Sequence, residues 1–129
     1  MNVYIAAHYP LREKMRWIRS CLAAFDIFVT SKWLDQPDKD VPKAQWKIIA
    51  VGDLDDMDEA DVLIVDTTTV DDTGGREFEA GYACDRMPFI IVGPERSVFH
   101  SLANKIFADW NQCIRWLAYE ENRRSLCNY

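Results

Sequence analysis

Apolar and polar positions along this chain fall into short blocks that switch repeatedly between two periods. Val3-Tyr4-Ile5-Ala6-Ala7, Ile27-Phe28-Val29-Thr30, Val62-Leu63-Ile64-Val65 and Pro88-Phe89-Ile90-Ile91-Val92 are continuous runs of mostly β-branched and aromatic residues. Such runs predict strands covered on both faces, as in a parallel sheet. Between them the period lengthens to that of a helix. From Leu11 to Phe25, Met15, Ile18, Leu22 and Phe25 share one side, while Arg12, Arg16 and Arg19 share another, which reads as a solvated face. From Lys43 to Asp58, Trp46, Ile49, Ala50, Leu54 and Met57 form a second stripe. Steps of about 100° from Arg76 put Phe78, Ala80, Tyr82 and Ala83 on an inner arc. Asp109 to Arg124 presents Trp110, Cys113, Ile114, Trp116 and Leu117 in the same way. Val98 to Leu102 reads as a turn or short helix, and Ile106-Phe107 fits either a fifth strand or a helix. The alternation predicts an α/β fold: a single domain, 1–129, with a doubly wound, flavodoxin-like parallel sheet of four to five strands flanked by helices.

Two carboxylates interrupt these stripes. Asp53 lies in the middle of the second and Glu79 inside the arc of the third, whereas Glu77 falls outside that arc and Asp55, Asp56, Asp58 and Glu59 project elsewhere. A carboxylate among apolar neighbours either finds a cation or a backbone partner, or carries a raised pKa suited to acid–base work. The pattern alone leaves both open. Glu79 stands just past the C-terminal end of the Val62–Val65 run, where open α/β sheets bind ligands. Gly74 and Gly75 let the chain turn tightly and leave free N–H groups at the start of the helix. Tyr4, His8, Asp66, Thr67 and Asp72 form a polar rim around this point. The His8-Tyr9-Pro10 loop follows the first strand, and Arg12 just beyond it is the member of the basic row placed to meet an anion. Asp35 to Pro42 reads as a loop or mobile flap with Trp33 at its root, either stacking on a planar ring or closing the edge of the core. Two inward carboxylates beside a polar rim suit glycosidic-bond chemistry, in which one attacks or steadies the anomeric carbon and the other manages the leaving atom's proton.

Composition narrows the ligand. At 49% hydrophobic and 12% aromatic, the chain carries enough apolar surface for a real core. A net charge of −6 argues against a nucleic-acid polymer and for a small metabolite. No run approaches the roughly 20 apolar residues of a membrane span, and no signal-peptide pattern precedes the first strand, so a cytoplasmic protein is expected. Cys21, Cys84, Cys113 and Cys127 are too widely spaced for a zinc site or a disulfide framework and read mostly as buried thiols. G-x-G-x-x-G, G-x-x-x-x-G-K-[ST] and G-x-S-x-G are all missing. The two histidines, His8 and His100, could each face the site but do not make a metal cluster. No metal and no organic cofactor is called for.

The segment G-D-L-D-D-M-D-E-A-D-V-L-I-V-D followed by G-G-R-E-F-E-A-G-Y-A, with V-Y-I-A-A before it and G-P-E-R-S-V-F-H-S-L after it, resembles the nucleoside 2-deoxyribosyltransferases and the 2′-deoxynucleoside 5′-monophosphate N-hydrolases. The resemblance implies that Glu79 attacks C1′, that Asp53 assists departure of the base, and that Tyr4 aligns the nucleophile. It also places Gly74-Gly75 beside the sugar and Ser101 near a substrate phosphate, and implies a homo-oligomer with shared active sites, across which Asn128-Tyr129 could reach. Two departures stand out. His8-Tyr9-Pro10-Leu11 replaces the hydrolases' glycine-rich phosphate stretch, and Arg76 lies beside the nucleophile, where it either binds phosphate or pairs with Glu79. The expected activity is cleavage or transfer at the N-glycosidic bond of a nucleoside or its 5′-monophosphate. The alternatives are a non-catalytic nucleotide-binding module and an N-hydrolase of another ribosyl substrate. One cleft lined by both Asp53 and Glu79, close enough to flank one sugar, favours an enzyme, and a buried Arg76–Glu79 pair with no cleft favours the module.

Overall fold

A computed structural model of the chain describes residues 1–36 and 41–127. Five strands, β1 (Asn2–Ala6), β2 (Phe28–Val29), β3 (Val62–Asp66), β4 (Phe89–Val92) and β5 (Lys105–Phe107), form one parallel sheet in the order β2-β1-β3-β4-β5. The helices are α1 (Arg12–Ala23), α2 (Trp46–Asp58), α3 (Gly75–Ala83) and α4 (Trp110–Cys127). Short 3-10 turns lie at Tyr9–Leu11, Lys32–Asp35, Lys43–Gln45 and Val98–Leu102. This is the flavodoxin-like, doubly wound sheet that the alternation of periods predicts. Ile106-Phe107 resolves as a strand because Ile106 pairs with Ile91 and Phe107 with Val92. That long-range pairing is invisible to local periodicity.

The central strand β3 is buried at every residue and aligns Leu63 with Tyr4 and Ile64 with Ile5 of β1. Strand order reverses between β1 and β3, so the loops leaving their C-terminal ends diverge and open a crevice at the topological switch point. Helix α1 packs on α4, while α2 and α3 lie against β1 on the other face. Val3, Ile5, Met15, Ile18 and Leu22 are completely or almost completely buried. Each fully buried aliphatic side chain contributes about 1.5–3 kcal/mol to holding the layers together.

Several sequence expectations need correction. Phe25 does not join the inner face of α1 and is 48% exposed, because the helix ends at Ala23 and Asp26 takes a left-handed turn (φ 61°). The basic row is not a solvated face. Arg16 Nε donates to Leu34 O (2.6 Å), Arg19 forks onto Asp35 (2.8 and 2.9 Å), and Arg12 donates to Tyr9 Oη (2.8 Å) and to Gln36 O. The row thereby ties the turn after β2 to α1. In α2 the apolar stripe turns largely outward: Trp46 and Ala50 are exposed, Ile49 and Leu54 half-buried, and Met57 fully buried. Asp56 is buried instead of wet, accepting the Lys32 backbone N–H (3.0 Å) and facing Lys32 Nζ (3.2 Å). The C-terminal turns of α2 meet the core, while its N-terminal half forms the wall of a cleft. Of the cysteines only Cys113 is buried, and burial pushes its thiol up to about 12; Cys21 and Cys84 are half-buried and Cys127 is exposed. Trp116 of α4 is only half-buried, packed against Phe107.

Candidate active site

The crevice at the switch point is filled from three elements. Strand β1 supplies Tyr4, which is completely buried. Helix α2 supplies Asp53. The loop after β3 and the first turns of α3 supply Glu79. That loop is built to launch the helix: Asp71 Oδ1 accepts from the Thr73 N–H (3.0 Å) and hydroxyl (2.7 Å), and Asp71 Oδ2 accepts the Arg76 N–H (3.1 Å). These bonds satisfy a donor of the first helical turn and set a carboxylate at its positive end. Gly74 precedes the helix with φ 83°, a conformation that other residues adopt only with strain.

Between α2 and α3 lies a cleft with two adjoining lobes. The first, about 370 Å³, is walled by Ala7, Tyr9 and Trp33 from the sheet side, Trp46 and Ile49 from α2, and Asp71 and Arg76. The second, about 440 Å³, is walled by Leu54, Met57, Gly74 and Phe78. Asp53 and Glu79, with Ala50, Thr73 and Gly75, line both lobes and so mark where they join.

The electrostatics of the junction are unusual. Burial, followed by the charge of Asp53, lifts the Glu79 carboxyl to about 8, while the Tyr4 hydroxyl beside it pulls the other way. Burial and the charge of Asp56 lift Asp53 to about 6. Burial and then the charges of Glu79 and Asp53 hold the Tyr4 hydroxyl far above the usual tyrosine range. Glu79 Oε2, Asp53 Oδ1 and Tyr4 Oη are buried, yet none has a hydrogen-bond partner of good geometry among the described residues. The Tyr4–Glu79 interaction is therefore a close approach rather than a formed hydrogen bond. Buried polar atoms left unsatisfied cost stability, and their concentration in one cleft marks a place prepared for a ligand.

The structure brings some of the expected site residues together and scatters others. Glu79, Asp53, Gly74, Gly75, Trp33 and Arg76 line the cleft, with Tyr4 beneath Glu79. Trp33 closes the core edge, 7% exposed with its Nε1–H donated to Ile5 O (2.8 Å), and still offers a ring tilted against Tyr9 at 6.2 Å. Arg76 does not pair with Glu79: its Nε and Nη2 face Glu77 Oε1 (3.2 and 3.0 Å), so the pairing that would have favoured a non-catalytic module is not formed. Arg12 donates to two residues that line the cleft, Tyr9 and Gln36, and is not itself in the lining. Ser101 is exposed and bonds Val98 O (2.6 Å) within its own turn, outside the cleft lining. Asp66 and Thr67 are not rim residues. Asp66 accepts from Thr68 and from Trp110 Nε1 (2.7 Å), and the Thr67 hydroxyl reaches Pro94 O (2.7 Å), so both hold the fold. His100 is buried and bonded to Glu77 (2.8 Å), away from the cleft. His8 and the exposed Asp72 sit beside Asp71, their ligand atoms within 4.8 Å of one another, a grouping concealed by their separation in sequence. Residues 37–40 of the expected flap and the terminal Asn128-Tyr129 lie outside the described residues.

The sequence reading missed Tyr9 and Ile49 as cleft walls and Glu77 as a bonded residue. A helical projection shows which residues share a face but not whether the opposite wall is core, ligand space or solvent.

No family model matches the sequence, and no curated protein matches it. Solved structures do. A 2-deoxyribosyltransferase from the psychrotolerant bacterium Bacillus psychrosaccharolyticus matches with a TM-score of 0.72 at 18% identity, over 88% of this chain and 90% of its own. A CMP N-glycosidase from Clostridium botulinum matches with a TM-score of 0.61 at 16% identity, over 91% of this chain and 98% of its own. Across nearly its whole length, the chain has the fold of a 2-deoxyribosyltransferase and of a CMP N-glycosidase.

Proposed function

We propose that this protein cleaves or transfers the N-glycosidic bond of a nucleoside or its 5′-monophosphate, with Glu79 as nucleophile and Asp53 as proton carrier. The observation that carries the reading is the pair itself: two carboxylates with buried, unpartnered oxygens line the junction of one cleft. The fold shared with enzymes named for 2-deoxyribosyl transfer and for N-glycosidic cleavage supports the reaction class.

The chemistry follows from the site. The base lies in the lobe walled by Tyr9 and Trp33, and the sugar at the junction. As the C1′–N bond breaks, its electron pair goes to the base nitrogen, which takes the proton of Asp53. Positive charge develops on the sugar and is stabilised by ionised Glu79, which closes onto C1′ to form a glycosyl ester. A second base, or water, then displaces Glu79 and returns a proton to Asp53. The protonation state needed, Glu79 ionised and Asp53 neutral, is the reverse of the resting order, since Glu79 at about 8 holds a proton more tightly than Asp53 at about 6. The productive arrangement is reached when that proton passes from Glu79 to Asp53 before the C1′–N bond breaks.

The test is incubation with a panel of deoxynucleosides and their 5′-monophosphates, with and without a free base, followed by chromatography. Release or exchange of base by wild type and none by Glu79→Ala establishes the chemistry, and dependence on added base separates transfer from hydrolysis. Inert wild type across the panel overturns the reading. A second copy of the chain closes the cleft in this proposal, because Trp46 and Phe78 in its walls are exposed apolar residues, as are Ile48 and Val51 elsewhere on α2. Light scattering that finds only monomer would remove that part.

A further inference from the structure

Helix α3 carries Glu79, yet little apolar surface holds it down. Its buried residues are Arg76, Ala80 and Ala83, Tyr82 packs partly against the core with its hydroxyl donated to Asp58 Oδ1 (2.8 Å), and Phe78 points to solvent. Glu79 makes no hydrogen bond from Oε2 that would fix its own pose. The loop that launches the helix therefore bears on where Glu79 stands.

Two arginines hold that loop. Arg76 Nη1 donates to Asp66 O (3.1 Å) and Thr69 O (2.7 Å), while Arg96 donates from Nε to Thr67 O (2.6 Å) and from Nη2 to Thr68 O (3.3 Å). Four successive carbonyls, the last of β3 and the first three of the loop that leads to α3, are therefore held by two guanidinium groups. The arginines are joined to each other. Glu77 Oε1 takes Nε and Nη2 of Arg76, and Glu77 Oε2 lies 2.8 Å from His100 Nε2. His100 Nδ1 accepts the Arg96 backbone N–H (2.9 Å). Because a backbone N–H can only donate, Nδ1 carries no proton, and Nε2–H donates to Glu77. The circuit Arg76–Glu77–His100–Arg96 thus closes around the loop, with His100 1% exposed and Arg76 3% exposed at its centre.

We infer that this circuit is a positioning device: Glu77, His100 and Arg96 set the placement of Glu79 in the cleft without touching substrate. The inference rests on the reading of Glu79 as the nucleophile. Its physical basis is that a bidentate guanidinium fixes direction as well as distance, and displacement of a reacting group by about 1 Å costs about 10²-fold in rate. Arg96 is the cleanest handle, because its guanidinium lies outside the cleft lining and, among the described residues, bonds only backbone carbonyls of the loop.

The experiment compares wild type with Arg96→Met, Arg96→Lys and Glu77→Gln by two readouts, steady-state kinetics and amide hydrogen exchange. In Arg96→Met the amides of residues 67–78 are expected to exchange at least tenfold faster, and kcat to fall about 10–100-fold with KM within about threefold. Arg96→Lys, which keeps a donor for Thr67 O, is expected to recover part of both. Unchanged exchange in the loop, or faster exchange with kcat within twofold of wild type, overturns the inference. So does a loss that Arg96→Lys does not relieve at all. Glu77→Gln serves as the independent variant should Arg96→Met fail to fold. If wild type is inert with every nucleoside and nucleotide, the functional reading fails while hydrogen exchange still reports on the circuit.

Discussion

Replacing Glu79 with glutamine should stabilise the protein, and by an amount that grows with pH. In the folded chain the carboxyl is raised from its usual 4.5 to about 8, mainly by burial. A raised carboxyl favours the folded state below its unfolded pKa, and that contribution is lost as pH climbs through the folded value. Between the two values the loss is about 1.4 kcal/mol per pH unit, reaching an upper bound of about 5 kcal/mol above both. Asp53 also titrates abnormally, but its rise is from 3.8 to about 6, so its share is essentially spent by pH 7. The window from pH 7 to 9 therefore isolates Glu79. Across it, wild type should lose about 1.4 kcal/mol more than Glu79→Gln, since every other titrating group is common to both proteins. Urea denaturation at pH 7, 8 and 9, with the midpoints and slopes of both proteins compared, measures this directly. A gap that stays constant or narrows would mean that Glu79 is ionised by pH 7, and the reasoning from burial would be refuted.

Other outcomes follow from the same geometry. The pH profile of kcat/KM should be bell-shaped with apparent values near 6 and 8, because the productive pair shares one proton; Asp53→Asn should abolish the bell along with most of the activity, and a flat profile would contradict the pairing. Gly93→Ala should cost about 2–3 kcal/mol in urea denaturation, since the residue sits at φ 120° and a Cβ would lie 2.6 Å from Thr67 Oγ1 and 2.9 Å from the Thr68 N atom; a neutral result would show that the loop shifts freely. Asp56→Ala should destabilise by about 1–3 kcal/mol by leaving the Lys32 N–H without its partner, which the same assay would detect.

Much of the fold is written locally. The short β-branched runs, the 3.6-residue stripes between them and the Gly74-Gly75 punctuation are enough to predict a doubly wound sheet, because each reflects a residue's preference for one period and a two-sided burial that any parallel sheet demands. The inward reach of Asp53 and Glu79 was legible for the same reason, as charges out of place in an apolar stripe. Tertiary structure decided the rest. A helical projection assigns Trp46 and Phe78 to the inner arc with Asp53 and Glu79, but it cannot know that the space facing them is a cleft rather than a core. Nor can it place the partners of a charge. Arg76 stands three residues from Glu79 and beside Glu77 in sequence, and which carboxylate it meets depends on the loop that folds back over β3 and on His100, 23 residues beyond Glu77. The raised pKa values belong to this second class as well, since burial and the proximity of two carboxylates exist only after α2 and α3 have been set against the same strand. Sequence periodicity determines which residues share a face; only the packing of distant segments determines what that face meets, and with it the protonation and charge on which the chemistry depends.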